Sequence, residues 1–444
     1  MKVTLQGTAS IELATAPPGV VEMVQRALTL TRQQIDGEQV PVPFWTMDDN
    51  WLHVPRGWLL SRPDICSQVT EWTDARSDGT PLPPGTRAHV TFGVHPFPAG
   101  QPQAIHDAHV ECVRNTHGGL FVAPTRSGKS LMSLELACRL GGSTLILVDN
   151  GGLMSQFGRD IVGPLQSSYG IVRMNEFDVS HPFTIATAQT LARRQLTNDI
   201  RKRWRTVIVD ECSSAPCEQI WSAVRRLHAR FVIGLSATPD RGDGLGDAIQ
   251  WVIGPTLTTL ERQLEADVHW RPLLWTHEGS ISQWGKTSWV KAEKAAMDDR
   301  SRVQTIAEDA VNAVSAGRRV LVMCGIVEHA HRIANAVSQL GVTPGLYLGE
   351  HTQMSHKVTL STYKKASKGI DFQPPPTCFI PAGPRSDIRQ AVGRALQPQV
   401  PHRTLILDPI DLTRPLIKWA MNRCAYYRSC GFQFRNSLEG VLAA

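Results

Sequence analysis

Two short segments, about 80 residues apart, hold the residue types needed to grip and cleave a nucleoside triphosphate. Ala123-Pro-Thr-Arg-Ser-Gly-Lys-Ser130 lies between an apolar run, GLFV, and an apolar helical stretch, SLMSLELACRL. A loop in that context turns backbone N–H groups toward phosphate oxygens, and the positive end of the helix dipole adds to the attraction. Ala123, Pro124, Thr125, Arg126, Ser127 and Gly128 would form the cradle. Lys129 would reach the β and γ phosphates, and the Ser130 hydroxyl would ligate Mg²⁺. The second segment, Val207-Ile-Val-Asp-Glu-Cys-Ser213, is an apolar strand ending in two carboxylates. Asp210 is placed to hold the Mg²⁺ shell and Glu211 to polarise the attacking water. ATP and Mg²⁺ are the cofactors this implies. The bland alternatives are a chance GK-S at a helix start and a solvated strand end. The strand–loop–helix context and the order of the two segments count against both.

Such segments need a parallel sheet to position them. Near-continuous apolar runs alternating with helical stretches are what a sheet covered on both faces requires. From about residue 103 the runs are GGLFVAP, STLILVDN, PFTIATA, RTVIVDE and RFVIGLSA. The pattern restarts in the last third as RRVLVMCG, TPGLYLG, HKVTLSTY, PTCFIPA and HRTLILD. Residues 1 to 95 differ, being rich in Pro, Trp and Thr with short alternating runs such as KVTLQGTASIEL, DNWLHVPRGWLL and RAHVTFGV. These read as strands, with one helix over Val20–Thr31 and loops at PLPPG and HPFPAGQP. The expected organisation is a small β-rich domain over 1–95, then two α/β domains over 96–254 and 255–444.

The 444 residues suffice for two or three cores. A hydrophobic share of 42% and charged share of 19% describe an ordinary globular chain, and the net charge of +6 is mildly suited to phosphate backbones. Nine cysteines are scattered without a CxxC pair, which argues against a zinc ribbon or disulfide framework. The N-terminus lacks an apolar signal core and no apolar run reaches 18 residues, so the expectation is a cytoplasmic protein without a membrane partner.

Gly234-Leu-Ser-Ala-Thr-Pro-Asp-Arg241, a strand ending in SAT downstream of the DE pair, resembles motif III of the superfamily 2 helicases (DEAD/DEAH-like). Its longer form, GLSATPDRGDG, resembles the UvsW/XPB-like, phage-type branch. The resemblance implies two tandem RecA-like domains of the P-loop NTPase class. Alanine at position 123 is usual there in helicases. By the same resemblance Ser236 and Thr238 couple the ATP site to the nucleic-acid side, and Gln103 lies where the family places its adenine-reading glutamine. Leu147–Phe157 resembles motif Ia, and Thr184-Ile-Ala-Thr-Ala-Gln-Thr-Leu191 motif Ic. Arg318–Ala330 resembles motif IV, Ser361-Thr362 with Lys368-Gly-Ile-Asp371 motif V, and Gln390-Ala-Val-Gly-Arg394 motif VI. Thr187, Gln189, Thr362, Lys364 and Lys368 would then face a nucleic-acid backbone, and Asp371 and Gln390 the nucleotide. ATP would lie between two lobes, held by Lys129, Ser130, Asp210 and Glu211 from one and Arg394 from the other. The implied partner is single-stranded, forked or branched DNA, traversed 3′ to 5′; an RNA helicase and an ATP-gated DNA-binding factor with little turnover are the rivals.

Two departures from the motifs stand out. The second arginine of motif VI is Gln397, and a neutral amide cannot offset phosphoryl charge as guanidinium does, which predicts a slow ATPase. The residue after Asp-Glu-Cys is Ser213 rather than histidine, which predicts looser coupling. Other features have two readings. Arg201-Lys-Arg-Trp-Arg205 reads as a solvated helix end or a DNA contact. Trp45, Trp51, Trp58 and Trp72 read as the core of the N-terminal zone or as stacking platforms for exposed bases. Most of the fifteen histidines, His228 and His331 among them, read as surface residues, and no metal-ligand spacing occurs.

Overall fold

The computed structural model describes residues 1–33, 39–82, 101–124, 127–148, 151–163, 165–213, 217–237, 245–260, 265–273, 289–349, 351–352, 357–366, 372, 375–385, 387–396, 403–412 and 414–443. The chain divides into two compact units, Met1–Arg262 and Gln263–Ala444.

The first unit opens with seven strands: β1 (Lys2–Leu5), β2 (Ala9–Glu12), β3 (Thr29–Gln33), β4 (Gln39–Pro43), β5 (Thr46–Met47), β6 (Trp51–Val54) and β7 (Glu71–Asp74). Five form a sheet in the order β5-β6-β2-β1-β7, while β3 and β4 make a separate hairpin. Alternation sets the buried face, since Val3, Leu5, Ala9, Ile11, Leu52 and Val54 are all buried. The helix read over Val20–Thr31 ends at Ala27, because the β-branched Thr29 and Thr31 pair across to β4 instead. The run DNWLHVPRGWLL likewise splits at Pro55 into β6 and a helix, Arg56–Leu60. RAHVTFGV lies outside the described residues. This zone shares one apolar core with the helices Cys217–Val224 and Gly246–Ile253. Gly57 packs so closely that a Cβ there would sit 2.7 Å from the Trp251 carbonyl oxygen. The Arg56 guanidinium, buried beside it, donates to the carbonyls of Gln6 at 2.8 Å and Ala229 at 2.6 Å.

The remainder of the unit is an eight-stranded sheet of β8 (Gly118–Val122), β9 (Thr144–Val148), β10 (Tyr169–Arg173), β11 (Glu176–Phe177), β12 (Phe183–Thr187), β13 (Thr206–Val209), β14 (Phe231–Ser236) and β15 (Thr256–Thr259). Its order is β11-β10-β12-β9-β13-β14-β8-β15, parallel throughout except for the edge strand β11. Because β15 pairs with β8, this sheet extends past residue 254.

The second unit repeats the arrangement with β16 (Ala266–Leu273), β17 (Val320–Cys324), β18 (Gly345–Leu348), β19 (His351–Thr352), β20 (Val358–Thr362), β21 (Cys378–Ile380), β22 (Thr404–Asp411) and β23 (Gln433–Phe434). The order is β19-β18-β20-β17-β21-β22-β16-β23, so each strand has a counterpart at the same place in the first sheet, down to the antiparallel edge strand. Two parallel sheets of identical topology are the tandem RecA-like fold. Every apolar run read from the sequence is a strand. The strands missed are those without such a run: β10 carries Tyr169 and Arg173, and β16 alternates Asp267, His269 and Arg271 with buried partners.

Candidate nucleotide and nucleic-acid site

In the first sheet the candidate nucleotide-site residues collect where parallel strands end. β8 stops at Val122, and the next residue, the buried Ala123, donates its N–H to the Ser236 carbonyl at 3.0 Å, tying the loop to the end of β14. Gly128 turns the chain with φ of +76°, a left-handed conformation that glycine adopts without strain, and the helix Lys129–Leu140 starts there. Ser127 closes the turn on Pro124, its hydroxyl donating to that carbonyl at 2.7 Å. Thr125 and Arg126 lie outside the described residues.

Lys129 is 8% exposed, and its Nζ meets Glu211 Oε1 at 3.2 Å, so the two segments singled out from the sequence converge in space. Asp210, buried just past β13, is fixed by its N–H donating to the Leu147 carbonyl at 2.9 Å. Glu211 takes φ of +45°, an expensive conformation for a residue with a side chain; strain of this kind collects at functional sites. Ser130 is buried at the first turn of the same helix as Lys129. A buried ammonium, a hydroxyl and two carboxylates, gathered from the ends of β8 and β13 on either side of β14, suit Mg²⁺ and a triphosphate.

The coupling side is partly described. Ser236, fully buried at the end of β14, shares a 2.7 Å hydrogen bond between its hydroxyl and that of Ser213. Serine in place of histidine therefore keeps a direct link from the carboxylate segment to the SAT strand. Thr238 lies outside the described residues, as do Lys368, Asp371 and Gln397. Gln390 and Arg394 fall on the helix Arg389–Ala395, whose backbone is described.

The glutamine reading is shifted. Gln103 sits on the exposed face of the helix Gln101–Asn115, its amide donating to Asp107 Oδ1 at 2.7 Å. Gln101 is the residue aimed at the loop: it is 5% exposed, and its Nε2 donates to the Ser127 carbonyl at 2.6 Å. Residues two apart point to opposite sides of a helix, so an offset of two selects the wrong face. Helical phasing against the buried Ala104, Ile105 and Ala108 was the signal that could have found it.

The nucleic-acid candidates occupy matched positions. Thr187 ends β12 and its Oγ1 accepts from the Thr190 N–H at 3.4 Å; Thr362 ends the counterpart β20 and accepts from the Lys365 N–H at 3.2 Å. Gln189 and Lys364 are exposed in the short helices that follow. Arg201-Lys-Arg-Trp-Arg205 instead precedes β13, at the opposite end of the sheet from Asp210. Trp204 is buried and donates to Thr184 Oγ1 at 3.2 Å, Arg203 donates to Thr80 Oγ1 at 3.1 Å, and Arg205 pairs with Asp78 at 2.6 Å. These three residues of the run are therefore engaged in contacts within the fold, while Lys202 is exposed. Among the tryptophans Trp58 is core, Trp45 and Trp51 are half-buried and Trp72 is 42% exposed. His228 is half-buried and His331 exposed, but His117 and His329 are buried, and burial together with nearby arginines holds both rings neutral. Among the described residues no cluster of metal-ligating side chains occurs, and no helix is long and apolar enough to cross a membrane.

Residues 95–241 match the family model described as type III restriction enzyme, res subunit. L396 of Acanthamoeba polyphaga mimivirus, named provisionally as an ATP-dependent RNA helicase, is 22% identical over 85% of this chain and 74% of its own length. Rad25 of Haloarcula marismortui, named provisionally as a DNA 3′-5′ helicase, is 26% identical over 67% of this chain; the chain spans 51% of that relative. The fragment structure of a protein from Vibrio vulnificus YJ016, provisionally an HsdR subunit of a type I restriction enzyme, superposes with a TM-score of 0.51 at 15% identity, covering 89% of this chain and 79% of that one. The last of these shows the shared fold. With the loop, the carboxylate strand and the SAT strand joined in one place, the family match and the helicase-named relatives support an ATP-hydrolysing superfamily 2 helicase of the UvsW/XPB-like type.

Proposed function

We propose that this chain is a DNA motor that uses ATP and Mg²⁺ to move 3′ to 5′ along one strand, unwinding or branch-migrating forked and recombination-intermediate DNA. The observation that carries the reading is the convergence of Lys129 on Glu211, 3.2 Å away, with Ser213 bonded to Ser236 behind it. Lys129 and the backbone N–H groups of the loop would hold the triphosphate, with Ser130 and Asp210 on its Mg²⁺. Glu211 would orient the attacking water, and Arg394 would supply positive charge to the departing phosphoryl group. Bound Mg²⁺ would neutralise charge building on the phosphate oxygens. On the strand side, Thr187, Gln189, Thr362, Lys364 and Lys368 would meet phosphates, which carry no sequence information, so movement should be sequence-tolerant and salt-sensitive.

The N-terminal zone supports branch recognition only through stacking. Residues 1–82 hold ten Asp and Glu against six Lys and Arg, a poor match to phosphate, whereas Trp72 offers an exposed ring. An RNA substrate is the second reading, since L396 carries that name. The test is ATP hydrolysis and strand displacement on single-stranded, forked and four-way DNA beside matched RNA, with Lys129→Ala as control. Unwinding of forked DNA that the control lacks is expected. Stimulation by RNA alone would reverse the choice of substrate, and ATP-gated binding without turnover would remove the motor.

A further inference from the structure

β20 ends in Ser361-Thr362, and the next residue, Tyr363, opens a short helix and turns inward. Tyr363 is 6% exposed; its hydroxyl donates to the Gly383 carbonyl at 3.1 Å, and its ring lies beneath the Arg385 guanidinium, 5.2 Å away. Burial keeps the phenol protonated and therefore a donor. Gly383 and Arg385 belong to the loop that runs from β21 to the helix Arg389–Ala395, which carries Gln390 and Arg394.

That helix begins without a side-chain cap, so the loop must be fixed by other contacts. Gly383 donates its N–H to the Met323 carbonyl at 2.8 Å, and a Cβ there would sit 2.4 Å from the Gly325 nitrogen and 2.8 Å from the Tyr363 ring. Farther along, Arg423 Nη1 donates to the Arg385 carbonyl at 2.7 Å. Arg423 is in turn locked in the core by Asp408 at 2.7 Å, which also accepts from the Tyr427 hydroxyl at 2.8 Å. The loop is thus held on its inner side, and Tyr363 ties it to the end of β20 at Thr362 and to the short helix that carries Lys364.

We infer that Tyr363 is a positioning residue that couples nucleic-acid contact at the end of β20 to the placement of the Arg394 helix. The inference rests on the helicase reading above. A shift of Thr362 on gripping a backbone is passed through the Tyr363 hydroxyl and ring to Gly383 and Arg385, and so to the start of the helix. If Tyr363 were only core filling, its loss would lower stability and every rate alike.

The experiment compares Tyr363→Phe, which keeps the ring and removes one hydrogen bond, with Arg385→Ala, which removes an exposed side chain and cannot empty the core. ATPase kcat is measured with and without saturating single-stranded DNA, beside the DNA Kd from fluorescence anisotropy and the Tm. A fall of about fivefold in DNA-stimulated kcat for Tyr363→Phe is expected, scaled to the loss of one buried hydrogen bond. Basal kcat and DNA Kd should stay within about twofold of the parent on the same scale, and Arg385→Ala should shift the stimulation in the same direction. Equal falls in basal and stimulated rates, or an unchanged stimulation ratio in both variants, would overturn the inference. A parent enzyme that DNA does not stimulate would sink the helicase reading itself, a separate and recognisable result.

Discussion

Gln101 and Gln103 differ by two positions and by their whole environment, which makes a sharp comparison. Replacing Gln101 with alanine deletes the 2.6 Å bond from its Nε2 to the Ser127 carbonyl in a site where the side chain is 5% exposed. A buried carbonyl left without its donor costs about 1–3 kcal/mol, which at roughly 1.4 kcal/mol per tenfold corresponds to about 5- to 150-fold in an equilibrium constant. Ser127 directly precedes Gly128 and Lys129, so the loss should appear as disorder of the cradle before ATP binds. The KM for ATP, and the Kd for a non-hydrolysable analogue, should rise by a factor in that range while kcat at saturating ATP changes little. Replacing Gln103 removes an exposed pair with Asp107, one helical turn away, worth a few tenths of a kcal/mol at about the level of surface i,i+4 contacts. Its KM should stay within about twofold of the parent, by the same scale. Should Gln103→Ala raise KM as much as Gln101→Ala does, the assignment of the loop-supporting glutamine is wrong.

Three further outcomes follow from particular side chains. Burial pushes the Asp160 carboxyl up to about 6, against a smaller opposing pull from Arg159, so the folded state binds that proton more tightly than the unfolded chain. Stability present below the unfolded value near 4 is therefore lost as pH rises toward 6, by at most about 3 kcal/mol and less after solvent screening. Asp160→Asn should flatten that slope in urea melts from pH 4 to 7, and a slope that survives would clear Asp160 of it. Asp408→Asn strips the charge that holds Arg423 in the core and should cost about 3–5 kcal/mol of unfolding free energy; a loss under about 1 would mean the cation finds other partners. Gln397→Arg restores the missing motif VI cation and should raise kcat, since such an arginine is worth orders of magnitude, about 10³-fold and more in related phosphoryl transfers. An unchanged rate would mean another arginine already serves.

Strands buried on both faces were legible because they need only apolar residues in an unbroken run, as in Thr206–Val209 or Val320–Cys324. β16 was not, since half its side chains are polar or charged, and what holds it is eight registered positions against β22, fixed by distant sequence. The phosphate and carboxylate segments were legible because their chemistry dictates residue type as well as spacing. Gln101 was not, because an amide supporting a loop is chemically ordinary until the helix phase is known. Nor was the Ser213–Ser236 bond, for it depends on β14 lying beside β13. The merger of residues 1–82 with the first unit was equally hidden, since Arg56 reads as a surface cation until its two carbonyl partners, one of them Ala229, are seen.

Identical topology in the two sheets raises the question of whether the second also hydrolyses ATP. β16 stands where β8 does, and the sequence after it contains Gly285-Lys286-Thr287, a counterpart in order to Gly128-Lys129-Ser130, though it lies outside the described residues. The decisive difference is at the next strand along. β13 runs into Asp210 and Glu211, whereas its counterpart β21 runs into Pro381, Ala382 and Gly383, with no carboxylate to hold Mg²⁺ or polarise water. A lysine and a hydroxyl alone lack both functions that hydrolysis requires. Asp411, at the end of β22, is committed to Arg302 at 2.7 Å in a fully buried pair and cannot take their place. Turnover is therefore expected from the first sheet only: Lys129→Ala should abolish it, and Lys286→Ala should leave the DNA-free kcat within about twofold. Loss of hydrolysis in Lys286→Ala, with folding and analogue binding at the first site intact, would show that chemistry is shared between the copies and that the strand-end carboxylates do not decide it.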